Sequence, residues 1–600
     1  MLGKESDAVM IDFHEAAPPE PEDAADPDAR GDAWIARGEY DEAAAAYGEA
    51  IRRDPADASA RYKRGLARFA KGDYDEAMAD LDEAIRLDPE NAPAYRLRGD
   101  LKRARDEFNK AEADYGEAIR IDPGNARAFH DRGLARAARE AFDQAAADFS
   151  EAIRLDPEFA AAHHHRGNVR YDQKRHDEAI ADFDEAIRLD PDRGSARNDR
   201  GIARFDQRRF DAAIADFSEA IRLDPNNVVA LTFRGIALTE TRRLDEAVAD
   251  LTEAVRLAPE SPVARYRRGV AWSAAGRYDQ AVADFDEAIR LDPQDASTHY
   301  NRGNAHAALK EFDAAIADYD AAVRLDPRYA SAYNNRGNAW AAKRKFDKAD
   351  ADYGAAIRLD PRNARALHNR GVARIALKRH DEAIADFDAA LRLNPRDASA
   401  LHNRGVAWFA KRDYGKAAAD FDAVARQDPE GGLASSHAKA LAGLSAGRDW
   451  AIDVARATIQ ADGWAWEIST YAAIVGGLAA RRAGDPPAAR ELLDDAARMA
   501  DPSTWPYPIV QYLRREIDEA ALTALAADDD MEAEIRCYLG FDRLLDGRID
   551  EARRDLARAA ARGAPVLPEA VAAAIELERL DAGSNGLPPS RGKTDAEGVR

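Results

Sequence analysis

The sequence predicts an all-α solenoid of stacked helix pairs, closed at its C-terminal end by a helical cap. Three observations predict it. Proline stands at 55, 89, 123 and onward to 429, twelve times, always 34 residues apart. With that proline as position 32 of a repeat, position 8 is glycine and position 20 alanine in all twelve copies, from Gly31 and Ala43 to Gly405 and Ala417. Position 24 is always large, from Tyr47 and Leu81 to Phe421, and position 27 is alanine except at Val424. A fixed period of this length is the mark of a repeat array in which each unit buries its apolar face on the next.

The chemistry of the repeat assigns two helices. Asp57, Asn91, Asn125 and Asn363, at position 34, accept orphan backbone N–H groups and start helix A of the following repeat. Glycine at 8 and alanine at 20 let the two helices of a repeat approach closely, and the large residue at 24 fills their seam. A turn near position 15, as in Lys71-Gly72-Asp73, reverses the chain, and aspartate at 18 (Asp75, Asp177, Asp279) is placed to cap helix B. A pair that is usually Asp-Pro ends helix B, because a residue before proline is pushed out of the helical region.

These five positions closely resemble the tetratricopeptide repeat, or TPR, family, over residues 24–431. The resemblance implies antiparallel helix pairs wound into a right-handed superhelix. It also implies that positions 2, 5, 6, 9, 12 and 13 of helix A face a groove that binds extended peptides or partner helices.

Position 7 departs from the family pattern. It is arginine in every copy, and position 23 is aspartate in eleven, with Ala46 the exception. Antiparallel packing sets position 7 across from 23, so Arg64–Asp80, Arg98–Asp114, Arg132–Asp148 and Arg336–Asp352 are expected as rungs of a structural ion-pair ladder. Arginine at 29 sits in the last turn of helix B, where it favours the negative helix end.

Recognition is expected at the variable positions. Position 6 is asparagine in four successive repeats, Asn301, Asn335, Asn369 and Asn403; position 9 adds Asn304 and Asn338, and position 5 adds Asn334. An amide offers a donor and an acceptor, so such a row can clamp a peptide backbone whatever its sequence. It is similar to the asparagine ladder of the O-linked N-acetylglucosamine transferases, without their catalytic domain. The carboxylate clamp of chaperone-tail binders wants lysine at position 5, where Tyr300, Asn334, His368 and His402 stand instead. Histidines gather on the same face at His130, His164, His368 and His402, with a triplet at His163–His165. No carboxylate or thiol partner is evident beside them, and no metal site is expected.

Outside the array, residues 1–23 and 584–600 are expected to be disordered, and 432–583 to form the cap. The cap holds two degenerate repeats, at about 470–503 (Gly477, Ala489, Leu493, Ala496) and 533–566 (Gly540, Ala552, Leu556, Ala559). Trp464, Trp466 and Trp505 are expected to build its core. By the pattern from Trp505-Pro506 to Tyr538-Leu539-Gly540, about residues 464–582 resemble the C-terminal half of bacterial NlpI-type TPR lipoproteins, envelope adaptors that dock hydrolases and proteases. The lipid-anchor cysteine of that family is missing here. Cys537, the one cysteine, reads as a buried structural thiol.

Composition narrows the function. Charged residues make up 33% of the 600, and the formal charge is −24, against a general nucleic-acid binder. A basic protein segment suits it as partner. No apolar run approaches the ~20 residues of a membrane helix, and no secretory leader opens the sequence. The expected location is cytoplasmic, or periplasmic were the start codon assigned too far downstream. No phosphate-binding loop, nucleophile elbow or His-Glu-x-x-His motif is present, so neither catalysis nor a cofactor is expected.

Overall fold

The computed structural model describes residues 26–427, 433–446, 450–462, 467–562 and 568–582. The described residues form 33 helices and no strand. Trp464, Trp466 and the segments 1–23 and 584–600 lie outside the described residues. Two compact units meet after Leu291, the last residue of helix B of repeat 8.

Each full repeat is a helix A of 13 or 14 residues and a helix B of 14, as in Ala160–Asp172 and His176–Leu189. Helix A opens on the expected caps: Ala60, Ala94, Ala128 and Ala366 donate N–H to Asp57, Asn91, Asn125 and Asn363 at 2.9–3.0 Å. The reversal is the same in all twelve repeats, because position 15 always takes a left-handed φ. Glycine supplies it at Gly38, Gly72 and Gly276, and a charged residue does so elsewhere, from Asp106 to Arg412.

Helix B starts two residues earlier than aspartate capping requires. It runs from position 17, so Asp75, Asp177 and Asp279 lie inside its first turn rather than at its cap. There they oppose the positive end of the helix dipole. Position 16 makes no side-chain cap bond in the repeats from Glu39 to Arg379 that have a described cap.

The seam is built by steric exclusion. A Cβ on Gly99, Gly201 or Gly405 would stand 2.6–2.7 Å from the ring of Tyr115, Phe217 or Phe421. All three rings are fully buried. The degenerate repeats reproduce this contact in the cap, between helices Glu467–Ala483 and Pro486–Met499 at Gly477/Leu493, and between Asp529–Leu545 and Ile549–Arg562 at Gly540/Leu556. The cap core joins Phe409 and Phe421 of repeat 12 to Ile474, Ile509, Tyr538 and Phe541. Trp505 packs against this core and donates from Nε1 to the buried Glu534 at 3.1 Å. Cys537 is buried with it, and burial pushes its thiol well above the usual range.

Candidate peptide-binding face

Position 7 lies where helix A meets helix B, and its arginine forks onto the aspartate at 23. Arg64 Nε and Nη2 donate to Asp80 at 2.9 and 2.5 Å, Arg98 to Asp114 at 2.9 and 2.7 Å, Arg132 to Asp148 at 3.0 and 2.7 Å, and Arg336 to Asp352 at 2.8 and 2.5 Å. The aspartates are buried. In repeats 2–6 a second cation at position 11 joins them: Arg68, Lys102, Arg136, Arg170 or Arg204. Repeat 1 has Ala46 at position 23, and Arg30 turns to Glu49 instead. These are planar, charge-assisted, water-poor pairs, which orient the helices and leave little of the arginine for a ligand.

The asparagine row has an internal connection. Asn335 donates from Nδ2 to Asn304 Oδ1 at 2.9 Å and to the Tyr300 hydroxyl at 3.0 Å. Asn369 donates to Asn338 Oδ1 at 3.0 Å. In repeats 10 and 11 position 6 therefore reaches back to position 9 of the preceding repeat. Asn304 and Asn338 also accept the hydroxyls of Tyr319 and Tyr353 at 2.8 Å. Asn301 donates to its own helix at Ser297 O, and Asn403 meets His368 Nε2 at 3.2 Å. Asn334 is buried and donates to Asn335 Oδ1 at 3.1 Å. The donor halves of Asn335 and Asn369 are thus committed inside the protein.

Sequence patterning alone misses the reason for position 9. A buried tyrosine hydroxyl needs a partner, and the repeats with tyrosine at 24 carry Asp or Asn at 9. Tyr47 donates to Asp32 at 2.7 Å and Tyr115 to Asp100 at 2.7 Å, as Tyr319 and Tyr353 do to their asparagines. The histidines also have carboxylate partners that the sequence hides. His130 Nδ1 lies 3.1 Å from Asp131 Oδ1 and its Nε2 2.9 Å from His165 Nδ1, while His164 Nε2 lies 2.8 Å from Asp199 Oδ2. The carboxylate of His164 and the second imidazole of His130 come from 35 residues on, one repeat plus one, whereas Asp131 is the next residue after His130. Among the described residues no three or more His, Cys, Asp and Glu side chains are gathered to hold a metal ion.

This seam titrates. Burial, with Asp131 nearby, pushes the Asp100 carboxyl up to about 7, against the attraction of Arg96 and Arg103 and the Tyr115 hydrogen bond. Burial and the adjacent His130 and His164 push His165 well below the ordinary histidine range. A carboxyl whose folded pKa exceeds its unfolded value of about 4 contributes stability below that value and loses it as pH rises through the folded one. Asp100→Asn removes the term. The variant's Tm relative to the parent is therefore expected to be higher at pH 8 than at pH 5. A difference in Tm that does not change with pH, measured by calorimetry, would reject the assignment.

The C-terminal unit covers part of its own array. The cap helix Pro568–Asp581 and the turns of repeats 10–12 enclose a pocket of about 150 Å3, lined by Phe346, Ile375, Ala410, Val571, Ile575 and Glu578. Arg344 donates to Ala561 O and Arg562 O, and Arg412 to Glu578 at 3.4 Å. Ile375 and Ala410 stand at positions 12 and 13, so helix A loses that end of its variable face here.

A periodic helix-pair array with a satisfied structural spine and a variable face defines a protein-interaction scaffold. The chain belongs to the tetratricopeptide repeat family. One model of that family matches residues 29–92, 96–158, 130–194, 198–262, 334–395 and 376–431, more than half of the chain, and a second TPR model matches 274–310 and 303–343. No curated protein matches the chain. Among solved structures, it is similar to YrrB, described as a TPR protein with an unusual peptide-binding site, at 24% identity over 31% of this chain and 96% of that one, with a TM-score of 0.28. It is similar to MamA at 26% identity over 28% and 96%, with a TM-score of 0.26. It is also similar to yeast Tom70 at 18% identity over 61% and 91%, with a TM-score of 0.30. No helix among the described residues is long and apolar enough to cross a membrane.

Proposed function

We propose that the chain is a non-catalytic adaptor that holds an extended peptide or partner helix along the variable face of helix A in repeats 9–12. The observation that carries the reading is the one-way use of the asparagines. Asn335 and Asn369 spend Nδ2 donors on the preceding repeat, which fixes each amide and leaves its oxygen as the acceptor, shared at Asn335 with the Asn334 amide. A fixed acceptor once per repeat suits the N–H groups of an extended backbone, and pre-organised rungs cost little entropy on binding. Asn301, Asn304, Asn334, Asn338 and Asn403 complete the row as supports or further contacts. The acidic charge steers basic segments toward the chain, which raises the association rate more than the affinity.

The test compares partner capture by the parent and by the variant with Asn301, Asn335, Asn369 and Asn403 all changed to alanine, once circular dichroism shows both folded. Loss of the captured partners from the variant is the expected result. Retention of the same partners at the same yield would remove recognition from this row.

A second reading, an envelope adaptor of the NlpI kind, draws on the cap. Tyr507, Ile509, Val510, Tyr512 and Leu513, in the segment that resembles those proteins, are buried in the cap. Fractionation of the native cell separates the readings: a periplasmic protein favours the second, a cytoplasmic one the first.

A further inference from the structure

Several repeat junctions hold an acid in a slot between arginines, and at two glycine junctions the slot has two arginines and no acid. From repeat 2 onward the position-7 arginine holds its own aspartate through Nε and Nη2. At most junctions its Nη1 points across to position 25 of the preceding repeat. Where that residue is aspartate the contact is a close ion pair: Arg98–Asp82 at 2.7 Å, Arg200–Asp184 at 2.6 Å, Arg336–Asp320 and Arg404–Asp388 at 2.5 Å. Where it is a hydroxyl the contact persists: Arg166–Ser150 at 3.1 Å and Arg234–Ser218 at 3.0 Å. At Gly48 and Gly354 there is no side chain to receive it. A Cβ built on Gly354 would meet Arg370 Nη1 at 3.6 Å and Arg358 Nη1 at 3.5 Å; one on Gly48 would meet Arg64 Nη1 at 3.6 Å and Arg52 Nη1 at 3.7 Å.

The second arginine of each pair is unheld as well. Arginine at position 29 is clasped by glutamate at 26 in repeats 2–8, as in Arg86–Glu83 and Arg256–Glu253. In repeat 10 that glutamate is replaced by Ala355, and in repeat 1 Glu49 is taken by Arg30 and Arg53. Among the described residues, neither Arg358 nor Arg52 makes a hydrogen bond or an ion pair. Gly116 is the internal contrast: its slot is open, but Arg120 is held by Glu117 at 2.8 Å.

We propose that the Gly48 and Gly354 notches each bind a carboxylate, supplied by an acidic side chain of a partner polypeptide. The occupant takes the place that Asp82, Asp184, Asp320 and Asp388 fill at their junctions. The two Nη1 atoms of a notch are at most about 7 Å apart. A carboxylate with oxygens about 2.2 Å apart, each accepting at about 2.8 Å, bridges that gap. Such a bridge is charge-assisted at both ends, in a chain whose net charge otherwise repels acids.

The experiment is arginine footprinting of the full chain with phenylglyoxal, read residue by residue by mass spectrometry. The probes are inorganic phosphate, a capped Ala-Glu-Ala tripeptide and its Ala-Gln-Ala analogue, at matched ionic strength. Arg358 and Arg52 are expected to react several-fold more slowly with the glutamate peptide present, and Arg120 and Arg154 at unchanged rates. Gly354→Asp is expected to slow Arg358 with no probe added and leave Arg52 unaltered. Equal rates with the Glu and Gln peptides, or equal protection at Arg120, would overturn the site. Protection by phosphate alone would overturn its assignment to an acidic side chain.

Discussion

Changing Arg268 to alanine is expected to destabilise its repeat by about 3–5 kcal/mol, the cost of leaving a buried charge without its partner. Asp284 is 5% exposed and receives both of its hydrogen bonds from Arg268, at 2.7 and 2.6 Å. Position 11 of that repeat is Trp272, which brings no second cation. The same change at Arg166 leaves Asp182 held by Arg170 at 2.7 Å. Its cost falls to about 1.5–3 kcal/mol, that of hydrogen bonds to a charge that stays compensated. Because stability in a repeat array is nearly local, the loss is best read by hydrogen exchange at helix Tyr278–Leu291. Arg268→Met with Asp284→Leu is expected to recover most of it, since an apolar pair of similar volume needs no desolvation. Equal costs at Arg268 and Arg166 would mean that the second cation contributes nothing.

What the sequence makes legible follows from the range of each interaction. Glycine at 8, alanine at 20 and a ring at 24 are steric requirements inside one repeat, so they recur every 34 residues and can be counted. Arginine at 7 and aspartate at 23 are also internal to a repeat, and antiparallel packing is enough to pair them. The asparagine row is legible as a row but not as a network. The bonds of Asn335 and Asn369 join position 6 to position 9 of the repeat before, and their purpose is set by a tyrosine hydroxyl at position 24. The co-occurrence of tyrosine with Asp32, Asp100, Asn304 and Asn338 is the signal that reveals it. The carboxylate of Asp199 beside His164 hides for the same reason. The Gly48 and Gly354 notches are harder still, since what defines them is an absence relative to the other junctions. The start of helix B misleads because aspartate suits both a cap and a first turn, and only the backbone distinguishes the two.

Alanine at position 8 is expected to change sign from one repeat to another. In an open helix, replacing glycine with alanine stabilises by about 1 kcal/mol. At Gly201 the new Cβ would stand 2.7–3.0 Å from three ring atoms of Phe217, which is fully buried and has no room to retreat. Overpacking of that kind costs about 1–3 kcal/mol, so Gly201→Ala is expected to be destabilising on balance. At Gly65 the nearest atoms are Leu81 Cγ and Cδ2 at 3.2 and 3.3 Å, and a branched aliphatic chain can yield a few tenths of an ångström. Gly65→Ala is therefore expected to be neutral or stabilising. Having leucine at position 24 is not what decides the outcome: Gly235 would set its Cβ 2.6 Å from Leu251 Cγ, a branch carbon close to the backbone. Gly235→Ala belongs with Gly201→Ala. Denaturant midpoints for the three variants check the ordering. If all three shift upward, helix propensity outweighs the seam, and glycine at position 8 is not there to admit the ring.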